Sequence, residues 1–218
     1  MHQQLYEIVI LKPTAVFLSF LAAHLPETKL PELRLLQIDN TAYVIPKCNS
    51  DNETLDEIEK HFTTMFRHEI SRWLGDRTRS KIETSYFDFL CCFKLEFHNH
   101  IILLESVIKQ AKQLLLLKPR MPLLNWLKSM VEDEEELADV VEHVQLANLQ
   151  ENATALVKNF SNLTEIKPFI QEYYYPIFKS AMSRITSQAT QWPKINSLQE
   201  FKEYFAIEIH TQLIHLYQ

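Results

Sequence analysis

The chain has 218 residues, 46% of them hydrophobic and 11% aromatic, and a formal charge of −6; such a chain can bury a sound core without disulfide or metal staples. The negative balance excludes affinity built on phosphate neutralisation, so nucleic acid is not an expected partner. The single glycine, Gly75, excludes a Walker loop and a dinucleotide fingerprint, which need several positions free of a side chain beside a phosphate.

The opening MHQQLYEIVILKP has no basic region ahead of an apolar run and no small-residue cleavage site, so no secretory signal is expected. The sequons at Asn52, Asn152, Asn159 and Asn162 are then without consequence. Leu5 to Leu11 predicts a short buried strand closed by Pro13, and Thr14 caps a helix over Ala15–His24 that is too short to cross a bilayer. Asp39-Asn40-Thr41, between the β-prone runs Leu33–Ile38 and Tyr43–Ile45, predicts a hairpin. A helix capped by Asn52 or Thr54 runs to Leu74, where Gly75 stops it. The charged stretch Asp76–Ser80 divides an N-terminal α+β part, 1–78, from a helical part, 79–218, the two forming one compact unit.

Lys81 to Lys118 holds the densest apolar material. Tyr86, Leu90, Phe93, Phe97, Ile101, Leu104, Ile108, Ala111 and Leu115 recur at steps of four and three, which predicts a long central helix. A strand alternative stays open for 86–104. Phe89, Cys91, Phe93, Leu95 and Phe97 alternate at period two, and His98-Asn99-His100 would then turn a hairpin before a shorter helix from about Leu104. Pro122 starts the next helix, which continues through an acidic run. Asn152–Leu163 and Glu165–Tyr175 read as short helices, Pro176 as a break before Ile177–Gln191, and Ser197-Leu-Gln-Glu200 as a capping box opening a final helix to the terminus. No repeat of fixed period is visible. The expected fold is therefore α+β and predominantly α-helical, a small N-terminal cap on a multi-helix bundle around the central helix.

Candidate chemistry is sparse. Cys48, Cys91 and Cys92 form no spaced framework and read as reduced thiols. Cys91 or Cys92 beside a histidine, or a carboxylate pair, would make an enzyme or enzyme-like effector, the alternative function; aromatic neighbours favour a buried, unreactive thiol. His98 and His100, and His210 and His215, lack the spacing and companions of a metal site, so no metal, cofactor or catalytic residue is expected. The acidic run Glu132, Asp133, Glu134, Glu135 and Glu136 is suited to docking a basic partner segment, and the tyrosines Tyr173, Tyr174 and Tyr175 to anchoring an interface.

A small acidic chain with abundant apolar faces and no catalytic motif, read whole from its MHQQLYEIVILKP opening, resembles the bacterial secretion chaperones and adaptors, in particular the LvgA-like adaptors of the Dot/Icm type IV secretion coupling complex. The resemblance implies a cytoplasmic protein held at the inner membrane through its complex, without inserting into it. It implies binding to the cytoplasmic tail of the coupling ATPase beside small acidic chaperones, and presentation of effector proteins to the channel. No short motif carries it, so it assigns no individual residue.

Overall fold

The computed structural model describes residues 6–26, 29–75, 83–105, 108–130 and 141–217. The chain divides into two compact units, one of residues 1–97 and 210–218, the other of residues 98–209. Each is built on a four-stranded sheet, and each sheet takes one strand from the far end of the other half of the sequence.

In the first unit the sheet order is β3-β1-β2-β8, from β1 (Tyr6–Pro13), β2 (Ala42–Pro46), β3 (Phe93–His98) and β8 (Leu213–His215). Strands β1 and β2 are antiparallel with Ile10 opposite Ala42, and β2 and β8 are parallel with Ala42 opposite Leu213. Ile8–Leu11 is apolar without alternation, and all four side chains are buried, as a strand covered on both faces requires. Helix α1 (Ala15–Ala22) follows, capped by Thr14, whose hydroxyl accepts from the Val16 amide. Helices α2 (Leu33–Leu36), α3 (Asp51–Leu74) and α4 (Tyr86–Cys92) complete the unit. Ser50 caps α3, and Gly75 ends it at φ 75°, where a β-carbon would be strained. Phe17, Phe66, Phe89 and Phe93 gather over β1 and β2 with Ile58, Met65 and Ile70.

The second unit repeats this plan. Its sheet order is β7-β5-β6-β4, from β4 (Ile101–Leu103), β5 (Gln113–Pro119), β6 (Thr154–Lys158) and β7 (Phe205–His210), with helices α5 (Met121–Met130), α6 (Leu146–Gln150), α7 (Ile166–Ile185) and α8 (Leu198–Tyr204) between. The correspondence holds bond by bond. The Thr14 amide donates to Cys92 O at 2.9 Å and the Arg120 amide to Tyr204 O at 2.8 Å; Gln37 Nε2 donates to Pro13 O at 2.7 Å and Gln150 Nε2 to Pro119 O at 2.8 Å. The parallel strands match as well: the Ala42 amide donates to Gln212 O at 3.0 Å and the Ala155 amide to His100 O at 2.9 Å. His210 Nδ1 lies 2.9 Å from Asn40 O, and His98 Nδ1 3.0 Å from Ala153 O. Helix α3 buries Thr54, Ile58, Met65, Phe66, Glu69 and Ile70; α7 buries Ile166, Ile170, Ile177, Phe178, Ala181 and Met182 at the same spacing.

Once aligned this way, the sequence shows the repeat too. Leu11-Lys12-Pro13 recurs as Leu117-Lys118-Pro119, and Thr41-Ala42-Tyr43-Val44 as Thr154-Ala155-Leu156-Val157. Ser85, Phe89, Phe93, Glu96, His98 and Ile102 recur as Ser197, Phe201, Phe205, Glu208, His210 and Ile214. The separation changes between the first and second strands of each copy, so no fixed period exists. The copies exchange one strand each: β4, after β3, joins the second sheet, and β8, after β7, joins the first.

The expected predominantly α-helical bundle around a central helix is therefore overturned by two mixed sheets. Lys81–Lys118 is not one helix: α4 ends where Phe93 turns extended at φ −133°, ψ 131°, and β3, β4 and β5 follow. Aromatic and apolar residues there satisfy both periods, and exposed Phe97, Leu103 and Leu104 are not the buried stripe that a helix would make of them. The strand alternative comes nearer, but β3 and β4 lie in different sheets and form no hairpin. Leu33–Leu36 is helical, not the first arm of a hairpin, while Tyr43–Ile45 lies in β2 as expected. Thr154–Lys158 is a strand inside the expected helix 152–163. Helix α7 runs through Pro176 without interruption, its buried residues on both sides of the proline offsetting a lost hydrogen bond. The Ser197 cap opens only α8 before β7 and β8, and Glu200 accepts from the Asn196 amide instead of completing a capping box.

Candidate functional site

Of the residues singled out in the sequence, Glu132 to Glu136 lie outside the described residues. Tyr173 and Tyr175 stand exposed on α7, Tyr173 stacked on Phe169 at 5.0 Å and Tyr175 under Lys179 Nζ at 5.0 Å. Tyr174 turns inward, near Phe201, and its hydroxyl donates to Asn196 O at 3.1 Å. The three rings therefore do not form one surface: two are available and one is packing.

The thiols are poorly placed for nucleophilic work. Cys92 is buried, and desolvation pushes its pKa to about 11, with Cys91 and Asp88 adding in the same direction. Burial also raises the Cys48 thiol. His98 and His210 sit fully buried against backbone carbonyls where the strands exchange, and among the described residues no three His, Cys, Asp or Glu gather to hold a metal ion. Nor is any described helix long and apolar enough to cross a membrane.

The copies differ on the outside around the junction between the first strand and first helix of each. In both, the second short helix reaches it through a glutamine and the fourth through a carbonyl, by the bonds already given. In the second unit this junction is an open groove of about 590 Å³ lined by Arg120, Met121, Pro122, Leu146, Gln150 and Glu203. A neighbouring hollow adds Gln199 and Lys202 beside the edge strand β7. In the first unit the equivalent helices carry large apolar side chains outward. Phe87 is 73% exposed and Leu90 38%, where α8 has Gln199 and Lys202; Leu35 is 49% and Ile38 63%, where the second copy has Asn148 and Glu151. Sequence reasoning placed Leu90 in the apolar seam of a central helix; the structure turns both Leu90 and Phe87 toward water.

A second difference lies beneath the surface. In the first unit Glu69, 1% exposed, accepts from Tyr43 Oη at 2.8 Å, and Arg72 Nη1 lies 3.5 Å from its other oxygen. Arg72 also donates to Thr41 Oγ1 and Asp39 O, both at 2.8 Å, while Asp39 accepts from the Thr211 amide and hydroxyl. Burial, then the Glu69 charge, hold the Tyr43 hydroxyl well above its ordinary pKa. The second unit keeps the arginine as Arg184 and the threonine as Thr154, but has Ala181 and Leu156 for Glu69 and Tyr43.

Compared with protein-family models, curated proteins and solved structures, the chain matches none.

Proposed function

We propose that the chain is a non-enzymatic protein-binding adaptor whose first unit receives an apolar segment of a partner polypeptide over α2 and α4. What supports this reading is the contrast at one fold position. Phe87, Leu90, Leu35 and Ile38 are exposed where the other copy of the same fold carries Gln199, Lys202, Asn148 and Glu151. Polar groups at these positions are compatible with folding, so the apolar ones answer to something else, and exposed aromatic and aliphatic groups are the usual anchors of a docking surface. In keeping with the resemblance to LvgA-like adaptors, the partner is the cytoplasmic tail of a secretion coupling ATPase, bound alongside small acidic chaperones, and the role is recruitment of effector proteins.

The test exchanges the copies' own residues. Phe87→Gln with Leu90→Lys is expected to leave thermal unfolding within about 0.5 kcal/mol of the parent, as surface changes do. The same variant should lose capture of coupling-ATPase tail peptides and the rise in melting temperature they produce. Tail peptides that bind parent and variant alike, or neither at well above micromolar concentration, would sink this reading.

A further inference from the structure

We infer that the second unit carries an oxyanion site, built from Arg184, Thr154 and His100, that takes a carboxylate supplied by a small acid or by an acidic side chain of another protein. The argument is again the comparison of copies. In the first unit the guanidinium of Arg72 is met by the unit's own carboxylate, Glu69, and by Thr41. In the second, Arg184 turns to a different carbonyl, its Nη2 donating to Leu149 O at 3.1 Å and not to Thr154, and the carboxylate position is Ala181. Thr154, 1% exposed, keeps its hydroxyl there, and neither Thr154 Oγ1 nor Arg184 Nε has a hydrogen-bond partner among the described residues.

His100 completes the set. The Ala155 amide donates to its carbonyl, which seats it beside Thr154 on the adjoining parallel strand; its ring lies against the Ser180 carbonyl, one turn before Arg184 on α7. Its Nε2 is a third buried nitrogen or oxygen without a partner. Burial first, then the Arg184 charge, lower the His100 pKa, and burial alone lowers that of Arg184. A guanidinium does not shed its proton to escape burial, and a half-buried cation without a counter-ion is costly. A carboxylate relieves that cost by pairing its charge with the guanidinium, as Glu69 does for Arg72 in the first unit at 3.5 Å. Arg184 and His100 are each only part-buried as residues.

The experiment uses the full chain, with sodium acetate and a glutamate-containing pentapeptide as probes against sodium chloride at equal ionic strength. Binding is read from the Arg184 side-chain and His100 ring resonances and from the melting temperature. Both probes should shift the parent, the peptide more strongly if a protein supplies the carboxylate and equally if a small acid does. Arg184→Met should weaken binding by about tenfold or more, the worth of one charge-assisted hydrogen bond. Ala181→Glu, which restores the first unit's arrangement, should abolish the response while holding or raising the melting temperature; should that variant not fold, Arg184→Met decides alone. Resonances at Arg184 and His100 that ignore both probes at tens of millimolar, or that respond equally in Arg184→Met, overturn the assignment.

Discussion

The two units bury the same positions and expose different ones. Ile58 and Ile170, Met65 and Ile177, Phe66 and Phe178, Ile70 and Met182 occupy matched places in α3 and α7, each pair packed on its own sheet. At four matched exposed positions of the second and fourth helices the first copy is apolar and the second polar; in the interior the first closes its arginine with Glu69 and the second does not. Packing density leaves little freedom at buried sites, so likeness there reports the fold. Departure from likeness at a site the fold tolerates either way reports use.

The largest test of that comparison concerns strand exchange. A protease site inserted after Glu105 separates the copies covalently, yet β4 belongs to the second sheet and β8 to the first. The cleaved chains should co-elute under native conditions and part only in denaturant; separation without denaturant would show that the exchanged strands do not hold. Next in size, Phe66→Ala and Phe178→Ala should each cost about 3–5 kcal/mol in chemical denaturation. Both rings are at most 2% exposed. A cost confined to one copy would break the equivalence. A somewhat smaller effect is expected from Glu69→Ala, which leaves Arg72 and Tyr43 without their carboxylate and should cost about 3 kcal/mol. Adding Tyr43→Leu completes the second copy's composition at this spot, and the double variant should lose less than the sum of the singles, because the two groups serve each other.

Much that was legible in the sequence was local. The Thr14 cap, the stop at Gly75, the apolar run Ile8–Leu11 and the Ser197 cap act within one turn or one strand, and each stands as read, although Glu200 accepts from the Asn196 amide and so does not close the box on Ser197. The strands β6 and β8 were not legible, and β4 only as one arm of the alternative hairpin over 86–104. Three to five residues have no periodicity of their own, and they are strands because Ala42 and Ala155 present hydrogen-bonding edges to Leu213 and Ile101. The candidate sites followed the same division. Tyr173 and Tyr175 could be proposed from residue type, whereas Arg184 carries no signal until it is laid on Arg72, and Phe87 none until it is laid on Gln199.

By itself the sequence determined that this chain folds around large apolar faces, lacks the glycines of a phosphate loop, and starts and stops particular helices at particular residues. Only the tertiary structure decided that Phe93 leaves a helix for a strand, that two copies of one plan lie within the chain, and that each closes its sheet with the other's last strand. The reason is that caps, prolines and glycines act through bonds to near neighbours. Strand pairing is settled between residues as distant as Ala42 and Leu213, where no local preference reaches.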